Sequence, residues 1–459
     1  MRRQFSSGRW RDLRPWERAI VVVVAATIVC FGGAVVGHVA FSARHRTDLG
    51  VFLTAARAIR EGRDVYQVDW HADHYLFPPL LAIALAPTLP RRGDPATIGF
   101  TLTVAVTYVL SVAALLAAVH ILASLLEQMV LRPLTGAAAN RRWWALRATP
   151  IVVMLHSLGR DLQLGQLEEF LLLALCCSLV ATLNKRSFRG GLWLSIPICI
   201  KVFPAFLLIW PAARRDLRFI AGAIAGCIVG VVIVPTIALG PQRAWAYGRE
   251  YVETVLLQGV QRGAVAFQSG GTLSMKDVHN FSLLGVFHDL QYFGQADVPA
   301  APSPRTRAAA MSVGLALLLL TLLPALLPRR GALNAADQLI LFGQLIALAL
   351  LIAPVFQSYY LPLLIPLVAG LTAAGMNRRP AGAIYPDRRT LLLFAGFMVI
   401  NTAVSVKGLE PLRDAGLPTL TVLALWTAGS AALWRRTAPA RKPAARDFTL
   451  SHPSPAGTV

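Results

Sequence analysis

The sequence predicts an all-α polytopic membrane protein with about twelve transmembrane helices. Of its 459 residues, 56% are hydrophobic and only 15% are charged, which is typical of membrane-spanning rather than soluble domains. The mean hydropathy is +0.57. The apolar residues form runs of about 20, the length that an α-helix needs to cross the hydrocarbon core of a bilayer.

Eight apolar runs are long enough for a complete span. They lie near 19–41, 97–126, 218–240, 306–327, 336–354, 358–376, 390–407 and 417–435. Shorter runs near 147–158 and 167–183 add two passes. The run 190–211 has basic residues at both flanks, so we predict a hairpin of two short helices that turns near Lys201 and Pro204. Short helices at membrane depth are tolerated only beside protein or a watery cavity.

The distribution of Lys and Arg predicts the orientation of the chain. Six arginines precede the first span, and later basic segments lie at 132–147, 184–189, 214–218, 328–330, 377–389 and in the tail from Arg435. The positive-inside rule places these segments in the cytoplasm. The outer loops are then 42–96, 159–166, 241–305, 355–357 and 408–416. The first outer loop is also basic, which is a weak conflict because long loops translocate largely regardless of charge.

We therefore divide the chain into three parts. Residues 1–18 are a basic cytoplasmic N-terminus, 19–436 form the transmembrane domain, and the Pro- and Ala-rich tail 437–459 is predicted to be disordered and cytoplasmic. The two long outer loops are predicted to contain helices that lie at the membrane surface. These helices are expected at Leu49–Glu61, Leu80–Leu89 and Ala244–Val260, where apolar residues recur at helical spacing.

The composition also excludes some classes of partner and cofactor. The net charge of +21 resides largely in short clusters between apolar runs, which indicates topology and contact with membrane lipids rather than nucleic acid. The five cysteines all lie inside apolar runs, so the sequence predicts neither a disulfide framework nor a zinc site. We predict no cofactor and no metal, because the outer segments lack a paired acidic ligand motif.

Several polar residues are predicted to converge on the outer side of the membrane. Polar groups at membrane depth are energetically costly and usually line a cavity. The prediction that these residues lie on the same side of the membrane indicates a functional site more strongly than any one of them alone. They are Asp48, the segment Arg160–Glu169, Lys201, the segment His279–Ser282 and the segment Gln357–Tyr360.

The order of several short motifs resembles glycosyltransferase family 87. Asp48 and an amphipathic helix are followed by Gly62-Arg63-Asp64-Val65-Tyr66, Phe77-Pro78-Pro79, Gly165-Gln166, Lys201-Val202-Phe203-Pro204 and Asn280-Phe281-Ser282-Leu283-Leu284-Gly285. The resemblance extends from about Thr47 to Leu367. It implies a GT-C-like helix bundle. The interfacial helices predicted above then lie in the first and fourth outer loops, 42–96 and 241–305, if the hairpin turn near Lys201 is counted as the third. Two departures are Phe281, where the family has Gln, and Phe356–Tyr360, where members carry a Ser-Trp motif followed by His.

The resemblance implies an inverting glycosyl transfer on the extracytoplasmic face. The donor would be a polyprenyl-phosphate sugar, with mannose as the family default and arabinose, glucose or galactose left open. The acceptor would be a hydroxyl of a lipid-linked glycan or glycolipid. Asp48 matches the general base of the family. Candidates for the donor phosphate are Lys201, Arg160, Arg46 and His279, and candidates for substrate contacts are Gln166, Asn280, Ser282, Gln357, Tyr359 and Tyr360.

Structural alternatives exist for most of these residues. Asp48 could cap the helix that follows it, and Lys201 could extend its ammonium group to the interface. Asn280 and Ser282 could form a turn. The pair Glu168 and Glu169 suits a helix N-terminus and is not predicted to be catalytic.

Two functional alternatives are also open. A transporter or flippase for a lipid-linked sugar agrees with twelve spans, although the sequence has no internal repeat of the kind that transporters often contain. A non-catalytic membrane scaffold agrees less well with the convergence of Asp, Lys, Asn and Gln side chains. Transport without product formation would favour the first alternative, and failure to bind any polyprenyl-phosphate sugar would favour the second.

Overall fold

The computed structural model describes residues 9–437 apart from short gaps. The gaps are 42–46, 71–72, 90–97, 259–264, 267–271, 274–279, 296–297, 328–332 and 381. Most of the predicted tail, 438–459, and the first eight residues of the predicted N-terminus therefore lie outside the described residues. So do two of the predicted site residues, Arg46 and His279.

The first half of the described chain is almost entirely helical. Its α-helices are α1 (Pro15–Phe41), α2 (Asp48–Glu61), α3 (Pro79–Leu85), α4 (Ile98–Met129), α5 (Gly136–Leu164), α6 (Glu168–Leu183), α7 (Ser187–Ile200), α8 (Ile209–Ala213), α9 (Leu217–Cys227), α10 (Val234–Leu239) and α11 (Pro241–Glu250). Short 3₁₀ segments cover Trp10–Asp12, Ala86–Thr88 and Phe203–Leu208, and π-helical turns cover Ile228–Ile233 and Tyr251–Leu256. An antiparallel ladder pairs β1 (Asp69–Trp70) with β2 (Asp73–His74).

The second half continues the helical pattern. Its α-helices are α12 (Leu283–Gln291), α13 (Pro304–Leu326), α14 (Ala335–Ile352), α15 (Ile365–Asn377), α16 (Arg388–Ala403), α17 (Glu410–Asp414) and α18 (Leu417–Thr437). A 3₁₀ segment, Ser358–Leu364, leads into α15. A second ladder pairs β3 (Val265–Ala266) with β4 (Thr272–Leu273).

Seven helical stretches among the described residues are long and apolar enough to cross a membrane. They are Pro15–Gly37, Thr101–Met129, Leu217–Leu239, Pro304–Leu326, Ala335–Ile352, Ser358–Asn377 and Leu417–Arg435. The predictions of an all-helical chain and of several membrane-spanning helices are thus confirmed. The count of twelve passes and the GT-C-like arrangement of the bundle stay predictions, as does the position of the loop helices at the membrane surface.

Helix α5 corrects two of the predicted boundaries. It has 29 residues and is therefore about 44 Å long, whereas the sequence predicted a short span at 147–158 and an outer loop at 159–166. The arginines in its first half lower the local hydropathy, but they do not oppose a helix. They also find partners: Arg141 pairs with Glu17 and Arg147 pairs with Glu127. Hydropathy therefore recognised only the middle of this helix.

The contact between α7 and α9 agrees with the predicted reversal of the chain near Lys201 and Pro204, whereas the hairpin as two membrane passes stays a prediction. Gly222 lies against Phe188, and Gly230 lies against Cys199. Residue numbers thus increase together along the interface, and the two helices run parallel. The chain between them must reverse direction, which it does through Phe203–Leu208 and α8. With 14 residues, α7 is about 21 Å long, which is shorter than the hydrocarbon core of a bilayer, about 30 Å.

We predict that Gly222→Ala destabilises the protein. A Cβ at this position would overlap the backbone carbonyl oxygen of Phe188, and a backbone group cannot rotate aside. Overpacking of this kind costs about 1–3 kcal/mol, which thermal unfolding in detergent would detect as a lower Tm. The matched control is Gly396→Ala in α16, where nothing lies within 4 Å of the new Cβ. Equal Tm values for the two variants would contradict the close helix contact.

The buried centre consists of α14 and the segment Ser358–Asn377. In each of these two stretches, 83% of the residues in the most apolar 18-residue segment are buried inside the protein. Helices α4, α5 and α6 contribute further side chains to the same core. A second apolar cluster joins α2, α3 and the residues around Tyr66 and Tyr247. The N-terminus of α2 therefore lies where this second apolar cluster meets the helix bundle, since both Leu49 and Leu167 belong to the cluster.

Candidate functional site

The carboxylate of Asp48 faces the bundle from the first turn of α2. Thr47, and not Asp48, is the N-cap residue, because the Thr47 hydroxyl accepts a hydrogen bond from the Gly50 N–H at 3.2 Å. The alternative prediction that Asp48 caps this helix is therefore wrong. Asp48 Oδ2 instead accepts a hydrogen bond from Gln166 Nε2 at 2.5 Å. The side chain is thus available for a polar role away from its own helix.

Gly165 brings Gln166 to Asp48. Gly165 ends α5 in the left-handed conformation, with φ 67° and ψ 38°, which glycine adopts without the steric penalty of a side chain. A Cβ on Gly165 would also lie 2.7 Å from the Cβ of Leu49. Both the backbone angle and the close approach of α2 therefore require glycine here. This requirement explains why a Gly-Gln pair, rather than Gln alone, marks the site in the sequence.

We predict that Gly165→Ala lowers both stability and activity. The left-handed conformation costs an L-residue about 1–2 kcal/mol, and the added methyl group would push Leu49 away. The neighbouring Asp48 would then move with α2 and lengthen its hydrogen bond to Gln166. Sugar-transfer rate and Tm should both fall, whereas Gly33→Ala in α1, where a Cβ meets nothing within 4 Å, should leave both near wild type. Normal transfer by Gly165→Ala would refute the positioning role.

Lys201 is the second polar residue that contacts the side chain of Gln166. Its Nζ donates to Gln166 Oε1 at 3.2 Å and forms an ion pair with Glu168 Oε1. Glu168 Oε2 in turn accepts the N–H of Leu167 at 3.0 Å. Because Lys201 can only donate, the carbonyl oxygen of Gln166 must face it. The amide NH₂ of Gln166 is then directed at Asp48, and the site forms one connected polar chain.

Aromatic rings enclose the ammonium group of Lys201. The ring centroids of Tyr360, Phe77 and Tyr359 lie 4.4, 5.2 and 5.6 Å from Nζ. Cations within about 6 Å of a ring face are attracted to it. The ring centroids of the two tyrosines lie 4.6 Å apart with the rings tilted by 40°, and Phe203 packs edge-on against Tyr360 at 5.8 Å. Lys201 is buried by these groups and does not extend its ammonium group to the interface.

Phe77 reaches the site because two tyrosines hold the backbone beside it. The hydroxyl of Tyr66 donates to the carbonyl of Phe77 at 3.0 Å, and the hydroxyl of Tyr75 donates to the carbonyl of Pro78 at 2.8 Å. Pro79 then begins α3, where its missing N–H is not needed. Phe77 was not among the predicted site residues. The ring of Phe77 is in fact part of the Lys201 environment.

Three buried carboxyl groups near Lys201 were not predicted as site residues. Glu168 and Glu169 begin α6, and Asp161 lies in the last turn of α5; all three side chains are fully buried. The carboxyl groups of Asp161 and Glu169 interact electrostatically with each other, with Glu168 and with Lys201. A lysine at membrane depth needs a nearby carboxylate. The acidic residues Asp161, Glu168 and Glu169 were therefore the signal in the sequence that could have identified the partner of Lys201.

Asn280 and Ser282 have structural partners. Asn280 Nδ2 donates to the carbonyl of Pro354 at 2.6 Å, and its Oδ1 accepts the N–H of Phe356 at 2.9 Å. The Ser282 hydroxyl caps α12 by accepting the N–H of Gly285 at 3.0 Å. These contacts favour the turn-forming alternative for both residues. They also fix the backbone that leads to Tyr359 and Tyr360.

The remaining predicted residues are placed around this cluster or outside the described chain. Arg160 is exposed on α5, and none of the hydrogen bonds and ion pairs among the described residues joins it to the cluster. Gln357 is half-buried and begins the 3₁₀ segment that holds the tyrosines. Arg46 and His279 lie outside the described residues.

The cluster forms where helices α1, α5, α7 and α14 end or have just ended. Each of these helices begins near a basic segment of the sequence and leads away from it. The residues at or beyond their far ends, such as Asp48, Gln166, Lys201 and Tyr360, then meet. Within the described residues, no three His, Cys, Asp or Glu side chains are grouped as metal ligands; metal independence stays a prediction.

Comparison with known sequences gives the family. The sequence profile described as glycosyltransferase family 87 matches residues 75–354, which is more than half of the chain. The protein belongs to glycosyltransferase family 87. Gln166 and Lys201 lie inside the matched segment, whereas Asp48 precedes it and Tyr359 and Tyr360 follow it. The predicted family resemblance is thus confirmed.

Two curated relatives have the same descriptive name, polyprenol-phosphate-mannose-dependent alpha-(1-2)-phosphatidylinositol mannoside mannosyltransferase. The protein from Mycobacterium tuberculosis is 26% identical over 275 residues, covering 57% of this chain and 61% of its own length. The protein from Mycolicibacterium smegmatis is 27% identical over 258 residues, covering 52% of each chain. This family 87 member therefore spans between half and two thirds of the relatives it matches.

One solved structure is also similar to this family 87 protein. It is the crystal structure of ArnT from Cupriavidus metallidurans bound to undecaprenyl phosphate. The match covers 90% of this chain and 76% of that chain, with a TM-score of 0.43 and 13% sequence identity.

Proposed function

We propose that this protein is an inverting glycosyltransferase that uses a polyprenyl-phosphate sugar. The donor sugar is mannose, and the acceptor is a hydroxyl of a lipid-linked glycan or glycolipid. Membership of glycosyltransferase family 87 supports the reaction class. The curated relatives are described as polyprenol-phosphate-mannose-dependent, which supports the donor. The observation that carries the proposal is the contact of Asp48 with the Gln166–Lys201–Glu168 chain.

The proposed reaction is a single displacement at the anomeric carbon. The acceptor oxygen forms a bond to this carbon while the bond from the carbon to the phosphate oxygen breaks. The bonding electron pair leaves with the polyprenyl phosphate, and the hydroxyl proton passes to the carboxylate of Asp48. A sugar hydroxyl is a poor nucleophile, so a base placed within hydrogen-bond reach accelerates its attack. One displacement inverts the configuration of the transferred sugar.

Lys201 serves mainly to position the base in this proposal. An ammonium group has three donors, and two of them are used by Gln166 and Glu168. The rings of Phe77, Tyr359 and Tyr360 surround the group, which leaves a phosphate little direct access. Lys201 and Glu168 hold Gln166, and Gln166 orients the carboxylate of Asp48. This role differs from the phosphate contact that the sequence resemblance implies.

The leaving phosphate needs donors because negative charge builds on its oxygen. The rings of Tyr359 and Tyr360 lie beside Lys201, and their hydroxyl groups serve as these donors in the proposal. Arg160, Arg46 and His279 remain the predicted cationic partners, since a charged donor forms a stronger hydrogen bond to phosphate than a neutral one. Gln357 is a further proposed substrate contact.

The active site is proposed to face the extracytoplasmic side. The argument is the positive-inside rule applied to the loops. The helices that reach the site begin near basic segments and end at the cluster, so the cluster lies opposite the basic loops. A polyprenyl-phosphate donor in the outer leaflet would then present its sugar at the level of Asp48.

The test uses the purified full-length protein in lipid vesicles. Radiolabelled polyprenyl-phosphate mannose is supplied with a lipid extract that contains acceptor glycolipids, and products are analysed by mass spectrometry. We expect an acceptor heavier by one hexose and release of polyprenyl phosphate. In parallel vesicles without acceptor, movement of the donor across the bilayer without any product would instead identify a flippase. If the protein neither binds the donor nor forms a product, both functions are contradicted.

A further inference from the structure

A polar cavity lies at the end of the bundle opposite the Asp48 cluster. It has a volume of about 530 Å³ and is formed where α4 ends, α5 begins and α15 ends. Three arginines line it: Arg132, Arg142 and Arg379. No acidic side chain is among its described lining residues. The cavity therefore presents positive charge without an internal counter-ion.

The buried guanidinium group of Arg142 favours the binding of an anion in this cavity. Its side chain is only 7% exposed, and its Nη1 donates to the backbone carbonyl of Arg132 at 2.7 Å. Its neighbours Arg141 and Arg147 pair with carboxylates, but none of the ion pairs among the described residues includes Arg142. The carboxylate that interacts with Arg142 is that of Glu127, which is already paired with Arg147, and a buried charge that shares its counter-ion in this way is costly. An anion from outside the chain would satisfy it.

An apolar cavity adjoins the polar one. It has a volume of about 450 Å³ and lies between α1, α5 and α16, with Ile20, Val152, Phe394 and Met398 among its lining residues. Arg379 lines both cavities. Trp16 and Trp144 also line the apolar one, and tryptophan is enriched where lipid head groups meet hydrocarbon. The charged region and the apolar region thus share one edge.

We propose that these joined cavities bind an anionic phospholipid from the leaflet beside the basic loops. The phosphate lies among Arg132, Arg142 and Arg379, and an acyl chain lies along the apolar cavity. Guanidinium groups recognise phosphate by paired hydrogen bonds. A free phosphate ion would fill only the polar half, whereas a phospholipid fills both. Basic segments at the cytoplasmic surface attract anionic lipids in the same way.

This lipid would connect four helices, of which α1 and α5 lead to the Asp48 cluster at their other ends and α15 follows the segment that holds Tyr359 and Tyr360. The joined cavities are lined by α1, α5, α15 and α16, and α5 extends from Arg142 to the residue before Gly165. A lipid that binds only the folded state stabilises it by RT ln(1 + [L]/Kd). The proposal stands independently of the proposed enzymatic function.

The test is a lipid titration by native mass spectrometry of the full-length protein in detergent. The binding of phosphatidylglycerol and of phosphatidylcholine is measured for three proteins: wild type, Arg379→Gln and Arg389→Gln. Arg389 is exposed in the first turn of α16 and lines neither cavity, so it is the matched control. We expect wild type and Arg389→Gln to prefer phosphatidylglycerol. Arg379→Gln should bind phosphatidylglycerol at least about tenfold more weakly, a loss of about 1.4 kcal/mol or more, because it removes a charge-assisted hydrogen bond to the phosphate.

Three results would overturn the proposal. They are equal binding of the two lipids, an equal loss of phosphatidylglycerol binding in both variants, and competition by inorganic phosphate that displaces the lipid entirely at millimolar concentration. The last result would identify a free-anion site instead. Tm measured in phosphatidylcholine verifies that both variants remain folded. Sugar transfer by Arg379→Gln, assayed with that lipid, separates loss of this site from failure of the proposed enzymatic function.

Discussion

Asp48→Asn is expected to lower the turnover of sugar transfer by about 10²–10⁴-fold. The amide has nearly the shape of the carboxylate, and its oxygen can still accept the hydrogen bond from Gln166. It cannot, however, take up the proton of the acceptor hydroxyl. Helix α2 should form normally, because its cap is Thr47. Tm and expression level should therefore match those of wild type, and only the rate of transfer should fall.

The matched control for this prediction is Glu61→Gln. Glu61 is an acid at the opposite end of α2, and its side chain is 47% exposed in surface ion pairs with Arg57 and Arg63. Such pairs contribute little to stability, so turnover and Tm should both stay close to wild type. Wild-type turnover by Asp48→Asn would show that residue 48 does not act as the base. An equal fall in both variants would indicate a general disturbance of α2.

Glu168→Gln is expected to be the most destabilising single change in the site. Glu168 and Lys201 form a buried ion pair, and the amide removes the one carboxylate that directly contacts the ammonium group among the described ion pairs. Breaking a buried pair in this way costs about 3–5 kcal/mol. The Tm in detergent should fall clearly. Turnover should fall as well, because Gln166 loses the fixed position of Lys201 that orients it toward Asp48.

The double variant Glu168→Gln/Lys201→Met separates stability from positioning. Removing both charges removes the unpaired ammonium, and replacing a whole buried pair by apolar groups is often neutral or stabilising. We expect the double variant to regain most of the lost Tm. Its turnover should nevertheless stay low, since no donor holds the carbonyl oxygen of Gln166. Recovery of both properties would contradict the positioning role, and a double variant no more stable than Glu168→Gln would contradict the ion pair.

The sequence predicted the parts of the fold that depend on hydrophobicity. The long apolar stretches became helices because an apolar run in a membrane must satisfy its backbone internally. The hairpin at Lys201 was predicted because two basic flanks cannot lie on opposite sides of one span. The contacts among Asp48, Gln166, Lys201 and Tyr360 agree with their predicted shared sidedness, although their catalytic roles stay proposals.

Other features could not be predicted because they depend on local alternatives of similar energy. Thr47 and Asp48 are both good helix caps, and only the backbone geometry at Thr47 decides between them. The arginines of α5 indicated a loop by hydropathy, although their carboxylate partners come from distant segments such as Glu17 and Glu127. Long-range pairs of this kind leave no periodic pattern in the sequence.

The burial of Glu168 was missed for a different reason. Its position at the start of α6 has a sufficient local explanation, because acids favour helix N-termini. That explanation concealed the ion pair with Lys201. A cation predicted at membrane depth should therefore be assigned a carboxylate partner before nearby acids are attributed to helix ends. The same reasoning would also have selected Asp161 and Glu169.

A structure of the Asp48→Asn variant trapped with a polyprenyl-phosphate mannose donor and a glycolipid acceptor would test the proposed site. We expect the acceptor hydroxyl within hydrogen-bond reach, about 2.6–3.2 Å, of the side chain at position 48. The anomeric carbon should lie between this hydroxyl and the phosphate, with the phosphate on the side of Tyr359 and Tyr360. Donor and acceptor bound elsewhere, with position 48 remote from both, would show that Asp48 is not the base.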